Sequence, residues 1–135
     1  MLVVRKNTYD LPMQPTVLVI DDTVSSATLV RHALAPEFRV LSALTGEDGL
    51  AIAEQERPDV VLLDLNLQVG SGMHVLSRAR AGGYTGQLWV LSSRDPDFYR
   101  ALCERHGADG FYDKAHEQGQ LIADLKALAA AGPSN

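Results

Sequence analysis

Two short apolar runs that each stop at acid constrain this chain more than any other feature: Val17-Leu18-Val19-Ile20 ends at Asp21 and Asp22, and Val60-Val61-Leu62-Leu63 ends at Asp64. Runs of this length, rich in β-branched side chains and without polar alternation, read as strands buried on both faces, the pattern of a parallel sheet. The carboxyl edge of such a sheet is where open α/β folds bind ligands. Three carboxylates brought to one edge repel one another unless a cation lies among them, and hard oxygen donors suit Mg²⁺. Asp21, Asp22 and Asp64 therefore point to a metal site.

The rest of the chain alternates strand-like and helix-like segments with a short period. Strands are expected at 17–20, 38–43, 60–63, 88–92 and 110–112, and helices at 26–34, 46–56, 72–80, 97–106 and 117–131. In the first helix Leu29, Val30, Ala33 and Leu34 are expected on the apolar side, and in the second Leu50, Ile52 and Ala53. Pro58 and Pro96 punctuate the second and fourth units, and Gly82-Gly83 and Gly107 read as helix stops. Five β/α units joined by crossover helices give a doubly wound parallel sheet covered on both faces.

Composition narrows the class of molecule. At 135 residues, with 46% hydrophobic and 21% charged residues, the chain has the material for one core and reads as one domain. The domain is expected at 16–131, preceded by an extension at 1–15 of undetermined role and followed by a flexible tail at 132–135. A net charge of -5 argues against direct nucleic-acid binding, which needs clustered Lys and Arg, and makes proteins the expected partners. Cys103 is the only cysteine, so no intramolecular disulfide forms. No apolar stretch is long enough to span a bilayer, and a reducing cytoplasm is the expected compartment.

Two further strand ends carry polar residues that packing does not require: Ser92 closes Leu88-Trp89-Val90-Leu91, and Lys114 follows Phe111-Tyr112-Asp113. Asp21-Asp22, Asp64, Ser92 and Lys114, at the ends of the first, third, fourth and fifth strands, resemble the receiver domain of two-component response regulators. The resemblance covers roughly 16–131. It includes Pro58-Asp59 before the third strand, Gly72 eight residues after Asp64, and Gly107-Ala108-Asp109 before the last strand. It implies a flavodoxin-like sheet with strand order 2-1-3-4-5.

The resemblance also implies roles. Asp64 looks like the phosphoryl acceptor, a carboxylate nucleophile that forms an acyl phosphate. Asp21, Asp22, Asp64 and the backbone carbonyl of Asn66 look like the protein's share of an Mg²⁺ site. Lys114 is expected to pair with a phosphoryl oxygen, and Ser92 to donate its hydroxyl to one. Phe111 matches the aromatic that turns inward behind that hydroxyl; lacking the hydroxyl of the commoner Tyr, it is expected to be set by packing alone. Asn66 and Arg94 occupy positions that tune access of water to the phosphoryl group. The family implies a sensor histidine kinase or phosphotransfer protein as donor, an output protein or a missing effector domain as target, and a homodimer linked to phosphorylation. Two residues depart from the family pattern: Gln68 and Ala115 stand where proline is usual, and without proline the Lys114–Ala115 bond is expected to be trans.

Each residue has a plainer explanation beside the chemical one. Asp22 alone would serve equally well as a helix N-cap, and Phe111 as ordinary core. A degenerate receiver would keep the fold and act as a binding module. The rival from another class is a phosphohydrolase with an aspartyl nucleophile, of haloacid dehalogenase-like type, which needs a second Asp two residues after the first; this chain has Asn66, and an amide shuttles no proton. Gly70-Ser71-Gly72 begins a dinucleotide fingerprint but Val75 stands where its third glycine belongs. His32, His74, His106 and His116 share no ligand spacing and read as surface or boundary residues. Cys103 is expected to be buried and inert, and Trp89 to pack between sheet and helix.

Overall fold

The computed structural model describes residues 14–67 and 71–131. The expectations for Gln68, for Gly70, for most of the extension and for the tail lie outside these residues. The elements run β1 (Thr16–Ile20), α1 (Ser25–Leu34), β2 (Arg39–Ala43), α2 (Gly46–Glu56), β3 (Val60–Asp64), α3 (Gly72–Ala81), β4 (Gln87–Ser92), α4 (Pro96–Arg105), β5 (Gly110–Asp113) and α5 (Gln118–Ala130). All five strands are parallel, in the order β2-β1-β3-β4-β5. The doubly wound fold and its strand order are as expected, and the boundaries differ by one or two residues, as fraying ends do. Gln14 and Pro15, the last residues of the expected extension, are tied to the second unit: Arg39 N donates to the Pro15 carbonyl at 2.8 Å and the Gln14 amide donates to the Pro36 carbonyl.

Although the strand runs are apolar throughout, their side chains still alternate between two cores. Leu18, Ile20, Val61, Leu63, Leu88, Val90 and Phe111 pack on one face with Ala53, Val75, Leu76 and Cys103. Val17, Val19, Val60, Leu62, Trp89, Leu91 and Tyr112 pack on the other with Ala27, Val30, Leu34, Leu121 and Leu125. A period of two puts successive residues on opposite faces, and helices on both sides make both faces interior. Trp89 lies in the second core with its ring centroid 5.6 Å from that of Tyr112. Cys103 is fully buried, its thiol pKa pushed up by that burial, with Sγ 3.7 Å from Met73 Sδ.

One face assignment is corrected. Leu29 is 37% exposed, while Ala27, Val30 and Leu34 are the buried residues of α1. Steps of three and four residues return to one helical face, so 27, 30 and 34 make the stripe and Leu29 stands one residue, about 100°, away from Val30.

Local chemistry sets where the helices start and stop. Thr45, Ser71 and Asp95 accept bonds from the first-turn amides of α2, α3 and α4, and Pro96 occupies the first turn of α4. Gly83 and Gly107, at φ of +94° and +104°, turn the chain after α3 and α4. Gly72 is needed for a different reason: a Cβ there would come within 2.6 Å of the Leu65 backbone, so only glycine lets α3 begin against the end of β3. The Lys114–Ala115 bond is trans, and the one cis peptide among the described residues joins Ala35 and Pro36.

Candidate functional site at the carboxyl edge of the sheet

Strand register assembles the site. Ile20 pairs with Leu63, so Asp21 and Asp64 leave adjacent strands at the same level. Asp64 pairs with Leu91 and Ser92 pairs with Asp113, which brings Ser92 and Lys114 to the next step of the same edge. Lys114 N donates to the Ser92 carbonyl at 2.9 Å and Leu65 N to the Leu91 carbonyl at 2.9 Å, fixing the exits of β5 and β3 against β4.

Carboxylate oxygens of Asp21, Asp22 and Asp64 lie within 4.8 Å of one another. Asp21 and Asp64 are each 2% exposed, and Asp22 is half-buried. Lys114 Nζ stands 3.3 Å from Asp21 Oδ2 and 3.5 Å from Asp64 Oδ2. Three carboxylates against one ammonium leave negative charge in a mostly desolvated place, and a divalent cation with a preference for oxygen fits that donor set. Asp22 does not cap α1: Val24 holds the N-cap position with no side-chain bond, and Asp22 makes no side-chain hydrogen bond among the described residues. Its carboxylate is left to the cluster.

The two buried acids are tuned in opposite directions. For Asp21, burial disfavours the charge, but Ser26 Oγ, the Thr23 amide and Lys114 outweigh it, and the carboxyl lies below its ordinary value. For Asp64, burial dominates. The Asn66 amide, donating at 3.0 Å, and Lys114 pull the other way without cancelling it, and Asp21 adds repulsion, so the carboxyl lies above its ordinary value. Asp64 is thus the acid whose charge the fold holds at the greater cost.

Ser92 is fully buried, and its Oγ accepts from Arg94 N at 2.9 Å, which leaves the hydroxyl proton available. Asn66 reaches across to the β4–α4 loop: its Oδ1 accepts from Arg94 Nε at 2.6 Å, and its Nδ2 donates to Ser93 Oγ at 3.0 Å. The Arg94 guanidinium also lies 5.9 Å over the Tyr99 ring of α4. Phe111 is inward, 4% exposed, in the core that α4 covers. Packing alone does not hold it, contrary to expectation: the Arg100 guanidinium lies over its ring and donates to its carbonyl at 3.0 Å.

All the residues expected at the site are thus gathered at or behind one edge. The four histidines are exposed and outside it, and His116 Nδ1 meets Asp113 Oδ2 at 2.8 Å. Sequence reasoning missed Thr23, Ser26 and Arg100. Thr23 sits two residues after Asp21, the spacing of an Asx turn, and was legible in principle; Ser26 and Arg100 act across turns and elements and carry no sequence signal.

Comparison with known proteins agrees with this geometry. The family model described as the response regulator receiver domain matches residues 17–126. The nitrate/nitrite response regulator NarL of Escherichia coli K12 is 35% identical over 120 residues, covering 85% of this chain and 55% of that protein. The alkaline phosphatase synthesis transcriptional regulatory protein PhoP of Bacillus subtilis is 31% identical over 117 residues, covering 86% and 49%. The chain thus spans about half the length of these relatives. Among solved structures, the receiver domain of the Francisella response regulator 1452 superposes with a TM-score of 0.78 at 21% identity, over 87% of this chain and 98% of that one, which speaks to the fold. With the family model matching most of its length and the acidic edge of such a module assembled in its structure, the chain belongs to the response regulator receiver domain family.

Proposed function

We propose that this chain is a phosphoacceptor receiver: Asp64 takes a phosphoryl group in a Mg²⁺-dependent step, and the resulting acyl phosphate switches a protein-interaction face. The observation that carries the reading is the position of Lys114 Nζ, 3.5 Å from Asp64 Oδ2 and 3.3 Å from Asp21 Oδ2, inside the cluster of three carboxylates.

In the step itself, a carboxylate oxygen of Asp64 attacks phosphorus in line. An O–P bond forms as the bond to the donor's leaving group breaks, and the leaving group departs with the electron pair and takes a proton from water. Asp21, Asp22, Asp64 and the Asn66 carbonyl are the groups that would hold Mg²⁺, whose charge when bound would offset that of the carboxylates and phosphoryl oxygens. Lys114 supplies a fixed positive charge to the phosphoryl oxygens and Ser92 a hydroxyl donor. A phosphoryl group adds about -1.5 to -2 charge at pH 7, enough to draw the β4–α4 loop towards it through charge-assisted bonds. Ser92 and Phe111 carry that change to α4, β5 and the start of α5. Phe111 lies inward, in the core that α4 covers.

The donor is proposed to be a sensor histidine kinase or phosphotransfer protein. The output is proposed to be a separate protein or a further domain of a longer regulator, and the compartment the cytoplasm; among the described residues no helix is long and apolar enough to cross a membrane. A phosphohydrolase reading has no support at Asn66, whose amide is occupied by Arg94 and Ser93 and cannot act as a general acid or base. Incubation with a small acyl phosphate donor should leave a hydroxylamine-labile phosphoryl group on the protein, and continuous release of phosphate from phosphomonoesters would argue instead for the hydrolase.

A further inference from the structure

Asp21 and Asp22 are neighbours in sequence but not equivalent in the structure. A carboxylate offers about four acceptor positions, and those of Asp21 are all engaged. Oδ1 accepts from Thr23 N at 3.0 Å and Thr23 Oγ1 at 3.3 Å; Oδ2 accepts from Ser26 Oγ at 2.5 Å and Lys114 Nζ at 3.3 Å. Asp22 has no such partner among the described residues. Asp21, the more buried of these two neighbours, is therefore held by a cage of donors.

The members of that cage differ in how free they are to leave. Thr23 is local to the turn. Lys114 is shared with Asp64, and its ammonium is needed wherever new negative charge appears. Ser26 is the one donor carried by a helix: it lies in the first turn of α1, is half-buried, and has Asp21 as its side-chain partner. We infer that Ser26 is a positioning residue for the cation site, its hydroxyl fixing the plane of the Asp21 carboxylate so that the acid stays aligned with Asp22 and Asp64 when Lys114 leaves Oδ2. The geometry is that of an outer hydrogen bond that orients a metal ligand, an interaction whose loss typically costs 10- to 100-fold in affinity. The lowered pKa of Asp21 is consistent with such a cage.

This inference rests on the reading of the cluster as a Mg²⁺ site, and its test is Mg²⁺ affinity by isothermal titration calorimetry on the full chain, without any phosphodonor. Ser26→Ala should bind Mg²⁺ about tenfold more weakly, with its thermal midpoint in EDTA close to that of the wild type. Ser26→Thr keeps the hydroxyl at the same backbone position and should recover most of the affinity, which a role in helix packing alone would not produce. Equal affinity in Ser26→Ala and the wild type overturns the inference, as does a Ser26→Thr variant as weak as Ser26→Ala. A wild-type chain that binds no Mg²⁺ overturns the metal reading itself and the inference with it, so the two failures are told apart by the wild-type titration.

Discussion

The guanidinium carbon of Arg100 lies 5.0 Å from the centroid of the Phe111 ring, and the same side chain donates to the Phe111 carbonyl at 3.0 Å. One residue of α4 thus holds both the ring and the backbone of β5. It also reaches Glu117 Oε1 at 3.4 Å, and Glu117 in turn accepts from Asp113 N at 2.8 Å, so α4, β5 and the entry to α5 are linked. A cation over an aromatic face contributes about 0.5 to 1 kcal/mol at a partly exposed site, and the Glu117 ion pair, about two-fifths exposed on both sides, adds little.

Arg100→Ala should therefore lower stability by about 1 kcal/mol and loosen Phe111. Hydrogen exchange is the suitable measurement: the amides of β5 should exchange faster in the variant, while those of β1 and β3 remain as protected as in the wild type.

Lys114 supplies the only ammonium near Asp64 among the described residues. Lys114→Ala should leave the fold intact and slow phosphorylation by small donors by about 10²- to 10³-fold, the typical cost of losing one preorganised charge stabiliser. The check is the initial rate of adduct formation at saturating Mg²⁺.

The opposite tuning of the two buried acids gives a pH prediction. Without metal, carboxyl-carbon NMR should show Asp64 titrating above 3.8 and Asp21 below it. Asp21, depressed in the folded state, contributes stability that is present above pH 3.8 and is lost as pH falls through its folded value. Asp64, raised in the folded state, does the reverse: stability declines as pH rises from 3.8 through its folded value, because folding then confines an unwelcome charge. Asp64→Asn should accordingly unfold at a higher temperature than the wild type at pH 7 in EDTA, and Mg²⁺ should narrow the gap by stabilising the wild type.

The bond between Arg94 Nε and Asn66 Oδ1, 2.6 Å long, straps the β3–α3 and β4–α4 loops together, and Asn66 N donates to Asp64 Oδ1. A strap that limits the approach of water protects an acyl phosphate. Arg94→Ala should shorten the lifetime of phosphorylated protein, measured as loss of the adduct after the donor is removed, and Tyr99→Leu, which removes the ring beneath the guanidinium, should do so to a smaller extent.

How much of this was legible in the sequence depends on the range over which each feature is specified. Strands buried on both faces write themselves as continuous apolar runs, so β1, β3 and β4 and the acids and hydroxyl at their ends were readable, and strand register then brings Asp21 beside Asp64. Caps are local, so Thr45, Ser71 and Asp95 fixed their helices close to where periodicity expects them. The facing of Leu29 was misread because Leu29 and Val30 are equally apolar, and only the helix rotation relative to the sheet decides which of the two is covered. Ser26 and Arg100 were invisible because neither spacing is a local turn signature: Ser26 reaches back five residues to Asp21 across the β1–α1 turn, and Arg100 reaches Phe111 from another element.

Asp64 is proposed to accept a phosphoryl group in a reaction that needs a cation held by the carboxylate cluster. Intact-protein mass spectrometry after incubation with acetyl phosphate, with and without Mg²⁺, on the wild type and on Asp64→Asn, tests it most directly. A single phosphoryl adduct is expected on the wild type with Mg²⁺, and none without the ion or without Asp64. No adduct on a wild-type chain shown to bind Mg²⁺, or an equal adduct on Asp64→Asn, would contradict it.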